Sequence, residues 1–397
     1  MRFTLNEENS QFLFTLFNLL FLLFTAMGCG EEKSVEGFQN TRIPVCELEI
    51  YDSLIIRSNS LLFLSDYLSE KKWYLLYDYF NGDLIIVNRK GRTEYQFNRK
   101  GGGRQEYGEV RGVSFLGPDK VIVYGMFHYF IYSVTGDFIE SEDIADKAVL
   151  VNPLYDFKAP HFFDADSSLH LIVKGSSGNH GSALRAEFYA NMQWISIYNI
   201  EEGSLWEGVP YESNSPYIKN YLGKPAPQIS IDKQKEFLFV LFPYDPHVYL
   251  YQLHNLDLIK KINLAPSFFP WNSGVPFSNN VQRIKEESFG KEQLSGIYLT
   301  IQVLDDGGFL TAYMSQLPES LLVDDEIEYF QGGLQAFRDH YLQLFKSGEK
   351  LCRDLPLPEY AKALSIATAS DHIVLLAQTP EEQAYTKYYL TRISRVK

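Results

Sequence analysis

A few histidines and carboxylates are the side chains of this sequence that could carry acid–base or metal chemistry. The histidines near long predicted loops are His161, His180, His247 and His340. Imidazole and carboxylate groups that converge at one pocket can act as general acid and base, or can hold a metal ion. The residues that such a pocket would need are Asp245, His247, His161 and Glu106. The alternative for each histidine is a structural role in which the fold satisfies its ring nitrogens.

The motifs that usually carry catalysis do not occur in the sequence. There is no CxxC, no HExxH, no zinc-ligand spacing, no Gly-x-Ser-x-Gly and no phosphate-binding loop. The segment 164–168 (DADSS) contains half of a calcium loop, but it lacks the glycine and the distant glutamate, so it predicts a β-turn. We therefore assign no catalytic residue, no metal and no cofactor.

Aromatic residues are frequent in the predicted long loops. Exposed Tyr and Trp are rigid, amphipathic groups that bind proteins and sugars well. The alternative is that several of them pack the loops against the fold. The candidates for a binding face are Tyr155, His161, Tyr189, Tyr217, Tyr221, Tyr244, Asp245, His247 and Trp271.

The segment Gly101–Glu140 shows the kind of element that must position these residues. Short runs of β-branched and aromatic residues alternate with tight turns: Val113–Leu116, Val121–Tyr124, Tyr129–Ser133 and the strand at Phe138. This pattern predicts four antiparallel strands in sequence, which form one meandering sheet. A single sheet cannot bury both of its faces, so further sheets must pack against it.

Comparable strand groups recur along the chain and give six sheet units. Periodic units of this size are typical of a β-propeller. The last unit supplies only three strands, whereas Pro44–Leu54 has no partners of its own. We therefore predict an all-β, six-bladed propeller of four-stranded antiparallel blades. The N-terminal strand completes the last blade and closes the ring, which removes exposed sheet edges.

The predicted loops differ in length between the two faces of the ring. Turns between strands one and two and between strands three and four are short throughout. The long segments lie on the other face: 147–160, 176–192, 210–227, 265–295 and 315–338. Loops that elaborate one side of a scaffold usually carry its function. Neutral insertion is the alternative explanation.

The N-terminus has the pattern of an export signal. Residues 12–24 are almost wholly apolar, a length that suits a signal peptide and is shorter than the roughly 20 residues of a membrane-spanning helix. Small residues and Cys29 follow, so the chain resembles a bacterial lipoprotein whose cysteine is acylated; an ordinary secretory signal or an uncleaved anchor are the alternatives. The resemblance implies a signal peptide (1–28), a polar tether (29–40) and a single propeller domain (41–397) at the cell envelope, lipid-anchored in the outer membrane.

Charge and cysteine content limit the partners. The net charge of −14 argues against nucleic acid, because phosphate binding requires clustered Lys and Arg. If Cys29 is acylated, only Cys46 and Cys352 remain. An oxidising compartment would permit a disulfide between them, and two buried free thiols are the alternative.

The segment Gly101–Tyr107 (GGGRQEY) carries a family resemblance. It is similar to a Gly-x-Gly-Pro-Gly-Glu-Tyr/Phe segment that precedes a blade in six-bladed propeller lipoproteins of Bacteroidota (TolB-like or NHL-like), with Arg-Gln in place of Pro-Gly. The resemblance is to members known only as a domain of unknown function, so it implies fold and envelope location and no activity. Within the segment we assign Glu106 to capping loop N–H groups.

These observations favour a membrane-anchored, non-enzymatic recognition module. It would act as a monomer and bind an envelope protein or glycan through its long-loop face. The alternative is a propeller hydrolase or lyase that acts on glycans or peptides, since propellers host such chemistry although the fold does not imply it.

Overall fold

The computed structural model describes the chain from residue 43 to residue 395, and residues Ile43–Lys397 form one compact unit. The residues in this range that it does not describe are 59, 61, 126–127, 144–148, 151–160, 166–167, 177–183, 224–225, 233–234, 305, 325–327, 330–333, 359–360, 370–371 and 378–384. Cys29, the predicted signal and the tether therefore lie outside the described residues, as do Tyr155 and His180.

The strands of the first blades follow the order of the sequence. β1 (Cys46–Arg57) precedes them. Blade 1 consists of β2 (Leu62–Leu68), β3 (Trp73–Asp78), β4 (Leu84–Asn88) and β5 (Thr93–Phe97). Blade 2 consists of β6 (Gly112–Phe115), β7 (Lys120–Tyr124), β8 (His128–Ser133) and β9 (Phe138–Asp143). In both blades the strands pair antiparallel with their sequence neighbours, which confirms the meander predicted for Gly101–Glu140.

Blade 3 consists of β10 (Val149–Leu150), β11 (His161–Ala165), β12 (Ser168–Ser176), β13 (Gln193–Asn199) and β14 (Leu205–Pro210). A small ladder of β15 (Asn220–Tyr221) and β20 (Val275–Pro276) flanks blade 4 in the sequence. Blade 4 consists of β16 (Gln228–Asp232), β17 (Phe237–Leu241), β18 (His247–Gln252) and β19 (Leu258–Asn263). β11 pairs antiparallel with β12, with Asp164 opposite Leu169 and Ala165 opposite Ser168; residues 166–167, on which the turn prediction falls, lie outside the described residues.

Blade 5 consists of β21 (Ile297–Val303), β22 (Phe309–Met314), β23 (His340–Lys346), β24 (Glu349–Lys350) and β25 (Leu355–Pro356); both of the last two pair with β23. Blade 6 consists of β26 (Ala361–Ala369), β27 (His372–Ala377) and β28 (Tyr385–Arg395). The helices are α1 (Ala186–Asn191), α2 (Pro216–Lys219) and α3 (Val281–Gln293), with 3₁₀ turns at Glu319–Leu321 and Leu334–Phe337. None of the helices in the described ranges is long and apolar enough to span a membrane.

β1 closes the ring. It pairs antiparallel with β28 from Cys46–Arg395 to Arg57–Tyr385, so the sheet order is β1-β28-β27-β26. The prediction that the N-terminal segment forms the outer strand of the last blade is therefore confirmed. Tyr388 of β28 also donates its hydroxyl to the Leu62 carbonyl at 2.7 Å, which ties blade 6 to blade 1.

The hydrophobic core lies between the blades. Each neighbouring pair of sheets shares a cluster of buried aliphatic and aromatic side chains, for example Leu75 with Val123 between blades 1 and 2. Leu54 and Leu76 belong to the cluster between blades 6 and 1, and Phe239 packs with Phe309 between blades 4 and 5. The outer strand of a blade is more exposed; β9, for example, has no fully buried residue. Because neighbouring blades bury one another's faces around the whole ring, the fold is a six-bladed β-propeller.

Candidate functional site on the long-loop face

The long-loop face is defined here as the face that carries the loops between strands two and three and the crossings between blades. The antiparallel order places four of the five predicted long segments on it: the loop between β12 and β13, the crossing that contains α2, the crossing that contains α3, and the loop between β22 and β23. α1 ends the loop between β12 and β13 on the same face. Blades 3 to 5 therefore carry the elaborated part of this face.

Three of the predicted contact residues lie in the packed base of these loops. Tyr189 is 1% exposed, and Tyr217 and Tyr244 are 0% exposed. The ring of Tyr217 stacks on Tyr211 with centroids 4.7 Å apart, and its hydroxyl accepts the backbone N–H of Tyr244 at 3.0 Å. Burial raises the pKa of both Tyr217 and Tyr244 well above its ordinary value. These three side chains pack the loops, which is the alternative role considered for them, and none of them reaches the surface.

The other predicted residues are distributed differently. Tyr221 is half-buried in β15, where it pairs with Val275. His161 begins β11 and pairs with Ile172 through the backbone. Trp271, by contrast, is 60% exposed in the crossing before α3. Of the predicted aromatic contacts that the structure describes, Trp271 is therefore the one most open to a ligand.

Trp271 belongs to a set of four large apolar side chains that point into solvent, called here the apolar set. The others are Phe268, Leu294 and Phe337, and all four are at least 43% exposed. Trp271 contacts the buried ring of Phe269 edge-on at 5.8 Å, and Phe268 stacks on Tyr341 at 4.7 Å. Each aromatic member for which a ring contact is described is thus held from below by another ring.

Main-chain hydrogen bonds bring the segments of the apolar set together. Gly296 donates to the Pro270 carbonyl at 2.8 Å, so the chain that leaves α3 lies beside the segment of Trp271. A Cβ atom at Gly296 would lie 2.5 Å from the Phe269 ring, so this approach requires glycine. Arg338, next to Phe337, donates through Nη1 to the Ser295 carbonyl at 2.9 Å. The apolar set therefore lies on neighbouring segments of one surface.

Arg338 holds the end of α3 in place. It is 4% exposed, and its guanidinium also donates to the carbonyls of Glu292 at 2.8 Å and Ser315 at 3.1 Å. The last carbonyls of a helix lack intrahelical partners and carry partial negative charge, which a cation satisfies. The side-chain amide of Gln293 adds a two-point contact, donating to Val323 O at 2.7 Å and accepting from Val323 N at 3.0 Å. Sequence reasoning missed both residues, because nothing in their local sequence marks them as buried.

Asp354 lies beneath the segment of Phe268. Its Oδ2 accepts from the Ser267 N–H and from the Tyr313 hydroxyl, both at 2.6 Å, and its Oδ1 accepts from Gln343 at 3.0 Å and pairs with Lys350. Burial acts to raise the pKa of Asp354, but these hydrogen bonds outweigh it and hold the pKa below its ordinary value. This network fixes the start of the crossing that carries Phe268, Trp271 and Leu294.

Asp245 and His247 are brought together at the start of β18. His247 Nδ1 lies 2.5 Å from Asp245 Oδ1, and the Tyr249 hydroxyl donates to Oδ2 at 2.6 Å. Asp245 is 3% exposed, whereas the His247 side chain is 28% exposed. A carboxylate on Nδ1 orients an imidazole and directs Nε2 outward, which is the arrangement of a general base. Within the described ranges, no hydrogen bond joins His247 to a hydroxyl or thiol, and no three His, Cys, Asp or Glu side chains are grouped as a metal site requires.

Glu106 has the structural role predicted for it. Its Oε2 accepts the N–H of Gly103 at 2.8 Å, which closes the loop of the Gly101–Tyr107 segment. Tyr107 is fully buried and donates to the Gly82 carbonyl at 2.8 Å. The segment therefore anchors blade 2 against blade 1.

Comparisons with known proteins identify similar folds. No family model and no curated protein matches the chain. A member of the DUF4221 family from Bacteroides vulgatus has a TM-score of 0.65 at 10% identity, over 89% of this chain and 100% of the other. A protein from Bacteroides fragilis named for its presumed export has a TM-score of 0.49 at 12% identity, over 88% and 96%. A luciferin-regenerating enzyme has a TM-score of 0.43 at 10% identity, over 86% and 95%. At such identities, the likeness to the DUF4221 protein shows a shared propeller fold alone.

Proposed function

We propose that this protein is a lipid-anchored propeller of the bacterial cell envelope that recognises another envelope protein through its long-loop face. The observation that carries the proposal is the apolar set Phe268, Trp271, Leu294 and Phe337 on neighbouring segments of that face. Large exposed apolar side chains grouped on one surface mark interaction sites in soluble proteins. Trp in particular dominates the binding energy of many interfaces.

The base of the apolar set supports this role. Arg338, Gln293 and Asp354 fix the segments that display the four side chains. A surface that is ordered before binding loses little conformational entropy when the partner arrives. We favour a protein over a glycan as partner, because Phe268, Leu294 and Phe337 offer apolar area without a hydrogen-bonding group.

The binding test uses a matched control on the same face. Phe80 is 67% exposed in the loop between β3 and β4 of blade 1. A photo-crosslinking residue is placed at position 271 or position 80 in the full chain, and intact cells are irradiated. We expect one discrete adduct from position 271, lost when Phe337→Ala is added, and none from position 80. Equal amounts of adduct from both positions, or an adduct from position 271 that persists in Phe337→Ala, would contradict the proposal. An adduct with a glycan would show that the partner is a glycan and not a protein.

Lipid anchoring at Cys29 is tested separately. Cells are grown with an alkyne-bearing fatty acid, and the label on the protein is measured together with its fractionation. We expect labelled protein in the membrane fraction, and an unlabelled, released or unprocessed Cys29→Ala variant. Labelling that persists in Cys29→Ala would contradict the assignment.

The pair Asp245–His247 favours a second candidate function, that of a hydrolase or lyase acting on glycans or peptides of the cell envelope. The chain offers a matched control, because His254 pairs with Glu236 at 2.7 Å on the short-turn face. An activity on a panel of such substrates that is abolished by His247→Gln and kept by His254→Gln would support the enzyme. If the two variants have the same activity as each other, or if the wild type has none, the enzyme hypothesis is excluded for the substrates of that panel.

A further inference from the structure

The two cysteines of the described chain lie side by side. The side chain of Cys352 lies beside that of Cys46, and both belong to the hydrophobic cluster between blades 5 and 6. Cys46 is 9% exposed and Cys352 is 0% exposed. A main-chain hydrogen bond holds the segments of the two cysteines close together, since the Arg353 N–H donates to the Pro44 carbonyl at 3.1 Å. The contact therefore rests on neighbouring backbone as well as on the two side chains.

The positions of the two cysteines in the fold determine what a covalent bond between them would connect. Cys46 is the first residue of β1, the strand that closes the ring, and Cys352 lies between β24 and β25 in the outer part of blade 5. Nearly the whole propeller lies between them in the sequence. A covalent link at this point would join the closing strand to the neighbouring blade, where the other attachments of β1 are its hydrogen bonds to β28 and its packing.

We propose that Cys46 and Cys352 form a disulfide in the exported protein, which covalently fastens the N-terminal strand to the ring. The proposal rests on the export part of the proposed function and does not depend on recognition by the apolar set. A disulfide requires the sulfurs to approach to about 2 Å, which side-chain rotation can supply where two cysteine side chains lie side by side.

The chemistry balances with a disulfide oxidant, either a small-molecule disulfide or a thiol–disulfide oxidoreductase of the envelope. The Cys46 thiolate, the more accessible of the two, attacks the oxidant and releases one thiolate, which leaves a mixed disulfide. The Cys352 thiolate then attacks the Cys46 sulfur and releases the second. Two protons leave the protein thiols, and two electrons reduce the oxidant's disulfide to two thiols. Burial raises the pKa of Cys352 to about 12, helped by the Cys46 thiol, so the second step is faster at higher pH.

The test uses the full chain, incubated folded with oxidised glutathione, alkylated and digested with trypsin. We expect the peptides 43–57 and 351–353 to be linked, with a mass two hydrogens below their sum. We also expect the unfolding midpoint of the oxidised protein to exceed that of the reduced protein by about 5 °C. Cys46→Ala and Cys352→Ala should each remove the oxidation-dependent rise. The comparison is made within each variant, so packing losses do not affect it.

Two results would overturn the proposal. One is folded protein that keeps both thiols free or carries glutathione adducts alone, while the same chain forms the link in urea. The other is protein from cells alkylated at lysis in which the linked peptide is absent, although the purified protein forms it. Neither result depends on crosslinking at position 271, so failure of the recognition proposal is measured independently.

Discussion

Arg338 Nη2 donates to the carbonyl of Glu292 at 2.8 Å, and this bond joins the loop of blade 5 to the last turn of α3. Because Nη1 of the same guanidinium reaches Ser295 and Ser315, one buried side chain organises three segments. Leu294 and Phe337 project from two of these segments. The display of the apolar set therefore depends on a residue that is itself hidden from a partner.

Replacing Arg338 by Met should loosen this part of the long-loop face. The change removes a donor from three buried or half-buried carbonyls, of which Glu292 keeps the Ser295 N–H at 3.2 Å. We therefore expect a loss of about 2–4 kcal/mol in the free energy of unfolding. Amide hydrogen exchange of residues 292–296 should become faster while β16 and β17 stay protected. The control is Arg283→Met, since Arg283 is exposed and pairs with Glu287 on the surface. An equal effect of the two variants would contradict a specific role for Arg338.

Tyr217 and Tyr244 should respond oppositely to loss of their hydroxyls. Tyr217→Phe removes the acceptor of the buried Tyr244 N–H, so we expect a loss of about 1–3 kcal/mol in the free energy of unfolding. The Tyr244 hydroxyl is buried and has no hydrogen-bond partner among the described residues. Tyr244→Phe should therefore leave stability unchanged or raise it. Urea unfolding measures both; similar losses in the two variants would show that the Tyr244 hydroxyl has a partner.

The repeating strands could be predicted because their signal is local. Alternating β-branched and aromatic residues with tight turns define blade 2 in the sequence, and the missing strand of the last blade predicts ring closure by β1. The face of the ring on which each loop lies follows from which two strands of a blade the loop connects. These inferences need no knowledge of which side chains touch.

The exposure of loop aromatics could not be predicted in the same way. Tyr217 and Trp271 have similar sequence surroundings, yet one is buried and the other 60% exposed. The difference arises because Tyr211 of the same crossing and Phe242, which follows β17 of blade 4, cover Tyr217. The contact with Phe242 joins segments that are distant in the sequence. Asp245 and His247 are the exception, since their separation of two residues places both at the start of β18 and was readable from the sequence.

The closing strand should contribute strongly to stability through its buried positions. Leu54 is 0% exposed between blades 6 and 1, whereas its neighbour Ile55 is 49% exposed. Leu54→Ala should lower the free energy of unfolding by about 2–5 kcal/mol, because it leaves a cavity between two sheets. Ile55→Ala on the same strand should change it by less than about 1 kcal/mol. Thermal unfolding of both variants checks the pair; equal midpoints would mean that β1 does not close the core.

Acid should weaken the long-loop face through Asp354. Its pKa is lower in the folded protein than the ordinary value of 3.8, so the unfolded chain binds the proton more tightly. The stability that Asp354 contributes is therefore fully present above about pH 4 to 5, and it is lost as the pH falls through the folded pKa. We expect Asp354→Asn to cost about 3 kcal/mol at pH 7, since it leaves Lys350, whose side chain is only 12% exposed, without its counter-charge. The measurement is the free energy of unfolding from pH 7 down to pH 3.

The control for this pH dependence is Asp306, whose pKa is also lowered, chiefly by its hydrogen bond from Lys346 at 2.7 Å. Because both side chains of that pair are about half exposed, water screens it, and Asp306→Asn should change stability little. Asp354→Asn should flatten the acid limb of the stability curve more than Asp306→Asn does. If the two variants keep the same acid limb as the wild type, the carboxylate of Asp354 is not the group whose protonation releases the crossing at Ser267.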